Sequence, residues 1–570
     1  MASAAVKSSA VQSAVHAIVE KSTLNKMSAA GKTATAVAKT AASSNARRNK
    51  ISQWSLNSLI RMKQEMVDPT NTARVFLPTA RELVQDVALR LDQQKHNVEQ
   101  MEQFVHRLNH PYEHHHADNN NDKKVIDTCT EPFWWKQADH KDTPQDRERQ
   151  THLEKAEKNL HDLKVLHENT YGIAQTLFAH LDDKFTAASS TSTGAGSSSS
   201  TAIVNSQTGA SSSEYLDKKE TKWIKAALRQ IRDRHAMTVE NLAEFVITTR
   251  PYWNSLSTKT EKEIEDFMDG LVMDFLRGRF GIQLLCEHYL SPYPNASLVD
   301  NNNKVLGGSG IVCVECALQT VLEDAISEAR ILCESHYSHL NTAAPEVVVV
   351  VDENSNLNFT IVRPWVHYVL VELLKNAMAK SMERMMEENA IEYLDNDDSD
   401  SSSSNMGSNV LPPTIYISIH NEDDHEHDHN DTSDKSKGPT YLSIDVMDQG
   451  GGFANNPVLA KSTDILFEFV KTKKHMWDRL DEQQTYATVR SPMQGLGVGL
   501  CLSRLAMQHF GGTVELKQHP PLSLENQAAL RMTMGGSVVV GDLNAGCVAS
   551  IKLVKDLDHP EHLFASDDHK

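Results

Sequence analysis

The chain has 570 residues, with 57 Lys+Arg against 76 Asp+Glu and a net charge of −19. That acidity excludes a nucleic-acid-binding body, which would carry a basic stripe, and no apolar run of about 18 residues signals a transmembrane helix. Seven cysteines, odd in number and scattered, make no disulfide framework, and 39% hydrophobic with 6% aromatic residues describe a globular core diluted by polar insertions.

Residues 1–50 hold eight Lys/Arg and one acid, Glu20, in an Ala/Ser/Thr/Val background. A basic, acid-poor leader without a compact apolar centre reads as an organellar transit peptide, mitochondrial with plastid import as the rival. From Ile51 to about residue 300 apolar residues recur at helical spacing, over 77–108, 152–183, 221–248 and 260–290. Four such stretches predict a helix bundle. Low-complexity inserts at 111–150 (with His114, His115 and His116) and at 188–213 (Ser/Thr/Gly-rich) interrupt it as surface loops.

Beyond residue 300 the pattern becomes mixed. Helices are predicted over 314–340, 364–388 and 499–510, and strands over 346–351, 414–420, 440–447, 536–541 and 546–554. An acidic and His-rich insert spans 395–438 around the strand at 414–420, and a short tail, 557–570, closes the chain. Helices on one side of a mixed sheet make an α/β sandwich, here over 301–556.

Three motifs in this second half carry chemistry. In His367-Tyr-Val-Leu-Val-Glu372-Leu-Leu-Lys-Asn376 the spacing of Leu370, Leu373, Leu374 and Ala377 predicts a buried helix face, with Glu372 and Asn376 one turn apart on another. A carboxylate there can accept a proton, and a carboxamide oxygen can ligate Mg²⁺ beside phosphates. Asp448-Gln-Gly450-Gly451-Gly452 follows a strand: the acid can take a hydrogen bond from an exocyclic amine, and the glycines admit close approach. Gly495-Leu496-Gly497-Val498-Gly499-Leu500 opens a helix and offers backbone N–H groups to phosphates. No GK[ST] follows, so it is not a Walker A loop.

Taken in this order, the three resemble the N box and the two glycine boxes of GHKL (Bergerat-type) ATP-binding domains. The stretches VELLKNAMAKSME, IRDRHAMTVENLAE, FLPTARELVQDVALRL, FLRGRFGIQLLCEHYL and VLEDAISEARILCESHY further resemble the mitochondrial 2-oxoacid dehydrogenase kinases, from about Ile51 to Lys555. That resemblance implies an N-terminal four-helix bundle followed by a GHKL α/β sandwich. It implies a matrix-located homodimer that docks on lipoyl domains of the acyltransferase core and phosphorylates serine on the decarboxylase α subunit, inactivating it. ATP and Mg²⁺ are the implied cofactors, with K⁺ as a further candidate. Glu372 would be the general base, Asn376 the Mg²⁺ ligand and Asp448 the adenine acceptor. Gly450 and Gly452 would shape the adenine pocket, residues 495–500 would cradle the phosphates, and 461–494 would be the ATP lid.

The sequence departs from the family in places. Tyr368 stands where pyruvate-type enzymes have a His, as in the branched-chain type. Ala379, followed by Lys380, replaces a phosphate-contacting Arg, and Gly546-Cys547 replaces a Gly-Thr. Tyr368 and the lack of a Trp after Lys555 favour the branched-chain over the pyruvate type. The alternatives are a histidine autokinase using His235, which lacks the expected Pro at position 240, and a pseudokinase scaffold. His425, His427 and His429 read as a solvated tract, and Cys313 and Cys316 as an isolated CxxC without the second pair that zinc binding needs.

Overall fold

In the computed structural model the described residues are 53–65, 67–68, 71–109, 144–192, 215–255, 261–291, 310–340, 342–352, 355, 357–395, 412–422, 441–453, 456, 459, 461–469, 498–519 and 545–561. The leader, the lid beyond 469, residues 495–497, the predicted strand at 536–541 and most of each insert lie outside them.

The first part is helical: α1 (Leu56–Glu65), α2 (Leu77–Asn109), α3 (Pro144–Ser192), α4 (Lys218–Arg234), α5 (Thr238–Thr249) and α6 (Glu261–Leu290). The α2 stripe Leu83, Val84, Val87, Leu91, Val98, Met101 and Val105 is buried, because spacings of three and four keep one face inward. α2 packs mainly on α3 and α6, and α3 also on α5. α3 starts at Pro144, whose fixed φ and missing N–H suit a first helical turn. It therefore takes residues from both stretches expected to be loops, 111–150 and 188–213.

The stretch 221–248 is two helices rather than one. Asp217 caps α4 through a reciprocal capping box with Glu220. The helix then stops at a turn, His235–Met237, before α5. The turn leaves Met237 exposed and buries the His235 ring, edge-on to His167 at 4.5 Å. A small sheet of β1 (Val67–Asp68), β2 (Asn71–Phe76) and β3 (Tyr215–Leu216) was not anticipated either.

The second part carries β4 (Val312–Ala317), α7 (Leu318–His336), β5 (Val347–Val351), β6 (Asn358–Val362), α8 (Arg363–Asp395), β7 (Ile415–Glu422), β8 (Tyr441–Met447), α9 (Gly499–Gln508), β9 (Thr513–His519) and β10 (Gly546–Val554). The five-stranded sheet runs β5-β7-β8-β10-β9, with β5–β7 parallel and the other pairs antiparallel. Its mixed character agrees with expectation. Ile415, Ile417 and Ile419 on β7 alternate inward with Leu442, Ile444 and Val446 on β8, forming one apolar cluster with Val369, Leu370, Leu373 and Leu374 of α8. The predicted helix 314–340 is corrected. Its first residues form β4, which pairs with β6 in a separate two-stranded ladder, and the helix begins at Leu318.

The segment after β10 carries structure as far as Glu561. Ser55 bridges to Pro560, Trp54 N donates to Glu561 Oε1 at 3.0 Å, and Glu561 N donates back to Trp54 O at 2.9 Å. Pro560 and Glu561 thus lie against the start of α1.

Three imidazoles in the helical part are buried and held neutral. Burial lowers His167 to about 4, and His235 and His288 each to about 3. Like-charge neighbours add to the effect at His235 (His167, Arg279, Arg234) and at His288 (Lys63). A folded value below the unfolded one means that the stabilisation is intact above the unfolded pKa of about 6.5 and is lost as pH falls beneath it. Each group then steepens the loss by up to about 1.4 kcal/mol per pH unit. Urea midpoints should accordingly fall continuously from pH 6.5 to pH 4.5; a flat profile there would show that these rings are charged in the folded chain.

Candidate functional site

α8 is the spine of the site. Glu372, Asn376 and Lys380 stand at intervals of four along it, so they form one stripe about 12 Å long. The face away from it, Leu370, Leu374, Ala377 and Met378, is buried. Burial of that face fixes the stripe's direction.

At the first position the Glu372 carboxylate accepts a 2.6 Å hydrogen bond from Lys375 Nζ, and the two side chains are only 17% and 9% exposed. Glu372 also abuts Gly499, the first residue of α9: a Cβ at Gly499 would collide with the carboxylate. The backbone N–H groups of a helix start are therefore brought beside a held carboxylate, with Val498 and Leu500 flanking. Tyr368, one turn earlier, is raised by burial and by the nearby Glu372 charge. It is a neutral phenol there.

At the second position Asn376 is exposed, so its carboxamide oxygen is open to a ligand. At the third, the Cβ of Lys380 backs onto Gly450, where any side chain would clash; Lys380 Nζ pairs with Glu383 at 2.5 Å. Ala379 packs on the apolar cluster. Lys380 therefore stands beside the Asp448 turn rather than beside Gly499.

Asp448 directly follows β8 and is buried. Its Oδ1 accepts from Gly450 N at 2.9 Å and from Cys547 N at 3.4 Å. Burial raises its carboxyl above the ordinary range, while those amides and the His519 and Lys380 charges work the other way. Cys547 supports Asp448 through its backbone, and its thiol is pushed up to about 12 by burial and by Asp448. Gly451 and Gly452 take positive φ, 85° and 63°, which a side chain would strain.

Four contributors were not visible in the sequence. Lys375 holds Glu372. Gln518 Oε1 accepts from Phe453 N at 2.6 Å and packs against Gly452. His519 Nε2 lies 2.8 Å from Asp448 O, and Arg384 Nη1 donates to Gln449 O at 3.3 Å. Gln518 and His519 depend on which strand pairs with β10, and Arg384 on where the turn after β8 meets α8. Of the expected lid, the described part is anchored. Phe467 lies under the Arg504 guanidinium, whose Nη1 bonds Asp464 at 2.9 Å, and Phe469 N donates to Asp269 of α6 at 2.9 Å. Among the described residues no group of acids, His and Cys could hold a metal on its own. A metal here would need a ligand's oxygens.

Gly499→Ala would push the Glu372 carboxylate out of place. A displacement of about 1 Å in a reacting group costs about 10²-fold in rate, so any transfer reaction the site performs should fall by that order, read as turnover at saturating nucleotide.

No family model matches the chain. A mitochondrial pyruvate dehydrogenase (acetyl-transferring) kinase of Drosophila melanogaster is 27% identical over 297 residues, 51% of this chain and 58% of its own length. A probable enzyme of the same name from Caenorhabditis elegans is 25% identical over 290 residues, 51% and 57% of the two chains. The human mitochondrial isozyme 1 is 23% identical over 288 residues, 50% and 53%. The chain thus spans a little over half the length of the curated relatives it matches.

Proposed function

We propose that this chain, a relative of the mitochondrial 2-oxoacid dehydrogenase kinases, is an ATP-dependent protein serine kinase. In this reading it acts in the mitochondrial matrix on the decarboxylase α subunit of a 2-oxoacid dehydrogenase complex. The observation that carries the reading is the α8 stripe. Its three polar positions face, in order, a helix start, solvent and a buried Asp-Gly turn, the order of base, metal and adenine along a bound ATP.

The fold reading that goes with it is a four-helix bundle over 51–300 and a GHKL domain over 301–556. Glu372 takes the proton from the attacking serine hydroxyl, Lys375 keeps its carboxylate aimed, and the amides at Gly499 and Leu500 meet phosphate oxygens. Asp448 accepts from the adenine amine, with Gly450 and Gly452 leaving room for the ring. The residues fit a phosphate-bound Mg²⁺, since Asn376 is exposed one helical turn from Glu372, whose carboxylate lies where a Cβ at Gly499 would be. When bound, Mg²⁺ would supply charge neutralisation on the phosphates. A homodimer, a lipoyl-domain partner and a K⁺ requirement belong to the same reading.

Tyr368 favours a branched-chain complex, whereas the relatives are named for pyruvate dehydrogenase. Incubating the chain with labelled ATP and each complex separately decides between them. Acid-stable serine phosphate on one α subunit supports the reading and names the substrate. ATP binding without transfer to either would leave the scaffold. His235 is a poor phosphoacceptor in any case, being buried against His167.

A further inference from the structure

On sequence alone Cys313 and Cys316 are an isolated CxxC. The fold changes what they can do. In a regular strand, residues three apart project to opposite faces. Here Cys313 pairs with Ile361 of β6 and Cys316 with Phe359, so three steps along β4 match two along β6. That is a β-bulge, and Glu315 within it sits at φ 51°, the one non-glycine at positive φ among the described residues. Ile361 and Phe359, two apart, share a face of β6, so their partners Cys313 and Cys316 share one as well.

Strand register thus sets the two thiols side by side, and each perturbs the other's ionisation. Cys316 is buried and Cys313 only partly so. The neighbouring Cys316 thiol outweighs partial burial and, with the charge of Arg363, lowers Cys313 to about 7, while Cys316 is raised by the Cys313 thiol and by burial. An accessible, readily ionised thiol next to a protonated, buried one is the division of labour between attacking and resolving cysteines. Beside Cys313 lies an open cavity of about 610 Å³ lined by Arg229, Arg232, Arg363 and Glu287. Arg232 and Arg363 also pair with Asp233 and Asp324. The arginines outnumber the acid on the wall and favour a carboxylate-bearing visitor.

We propose that Cys313 and Cys316 are a reversible redox pair, closing to an intrachain disulfide by exchange with a carboxylate-bearing small disulfide of the glutathione type. The Cys313 thiolate attacks one sulfur of that disulfide, forming a mixed disulfide and expelling one small thiolate. Cys316 then loses its proton to solvent and attacks Cys313 Sγ, breaking the mixed bond and expelling the second small thiolate. Two protein thiols are oxidised and one small disulfide is reduced to two thiols. The bond would pin the bulge immediately before α7, alongside the strand that runs straight into α8. The proposal does not depend on the kinase reading.

The test treats the full chain with oxidised glutathione, blocks remaining thiols with iodoacetamide, and maps peptides without reduction. The expected product is one peptide, two hydrogens lighter, with both Cys313 and Cys316 unalkylated, and restored by dithiothreitol. Cys316→Ser should instead retain glutathione on Cys313. With Cys313→Ser, Cys316 should react at least about tenfold more slowly than Cys313 does in the parent chain. In guanidinium, where the bulge is gone, that asymmetry should vanish. Finding both cysteines alkylated in the folded parent chain would overturn the proposal. So would a mixed disulfide on Cys313 that persists with Cys316 present, or equal reactivity of the two thiols in the folded chain.

Discussion

Replacing Glu372 by Gln should lower phosphoryl transfer by about 10²–10⁴-fold, the usual worth of a positioned general base, with ATP affinity little changed. The amide keeps the volume packed against Gly499, so the α9 start is left in place. What it removes is the basicity a proton acceptor needs and the charge that Lys375 bonds at 2.6 Å. A largely buried ammonium loses its partner in the process, so the variant should also be less stable by about 1–3 kcal/mol. The measurement is single-turnover transfer beside equilibrium nucleotide binding, with unfolding midpoints on the same samples. An unchanged transfer rate in a folded variant would remove Glu372 from the chemistry. Loss of ATP binding together with rate would make it a packing residue of the α9 start. Asn376→Ala separates from both, because an exposed carboxamide can be deleted without disturbing the core; its defect should be relieved by raising Mg²⁺.

Much of this site was legible before the fold was known, and the reason is local. Glu372, Asn376 and Lys380 follow from a helical period, and Asp448 with its glycines follows from a strand ending at a Gly run. The interior strands β7 and β8 are uninterrupted apolar-alternating segments, which period-2 reading finds easily. β4 was hidden for a physical reason: Val312–Ala317 runs into α7 with no glycine or proline to mark the change, and its bulge breaks the alternation. The break at His235–Met237 was equally silent, lacking any helix-breaking residue; there the burial of the His235 ring against His167 accompanies the turn. β9 and its Gln518 and His519 contacts depend on pairing with β10 across more than the local window. Cys313 and Cys316 became a pair only through strand register.

The largest effect on stability is expected at a residue that nothing local singles out. Glu561 lies 471 positions from Arg90, yet Arg90 donates to it through Nη1 at 3.1 Å and again through Nη2. Asp86 flanks the same guanidinium at 2.9 Å and accepts from Trp54 Nε1, and His509 Nε2, at the end of α9, lies 2.5 Å from Glu561 Oε2. All four charged groups are essentially buried. The Arg90 and His509 charges hold the Glu561 carboxyl down at about 2 against the cost of its burial. Glu561→Gln takes a charged partner from the buried Arg90 guanidinium, and removing one partner of a buried pair costs about 3–5 kcal/mol. The sign with pH follows from the depressed value. The contribution is complete above the unfolded pKa of about 4.5 and disappears as pH falls from there toward 2, at about 1.4 kcal/mol per pH unit. Guanidinium unfolding of the parent chain and the variant should therefore differ most at pH 5–7 and draw together below pH 4.5. A constant gap across that range would mean that the glutamate stabilises through shape rather than charge. Because the cluster joins α2, the segment after β10 and α9, the variant should also loosen the α9 start that meets Glu372, and transfer should fall with stability instead of surviving it.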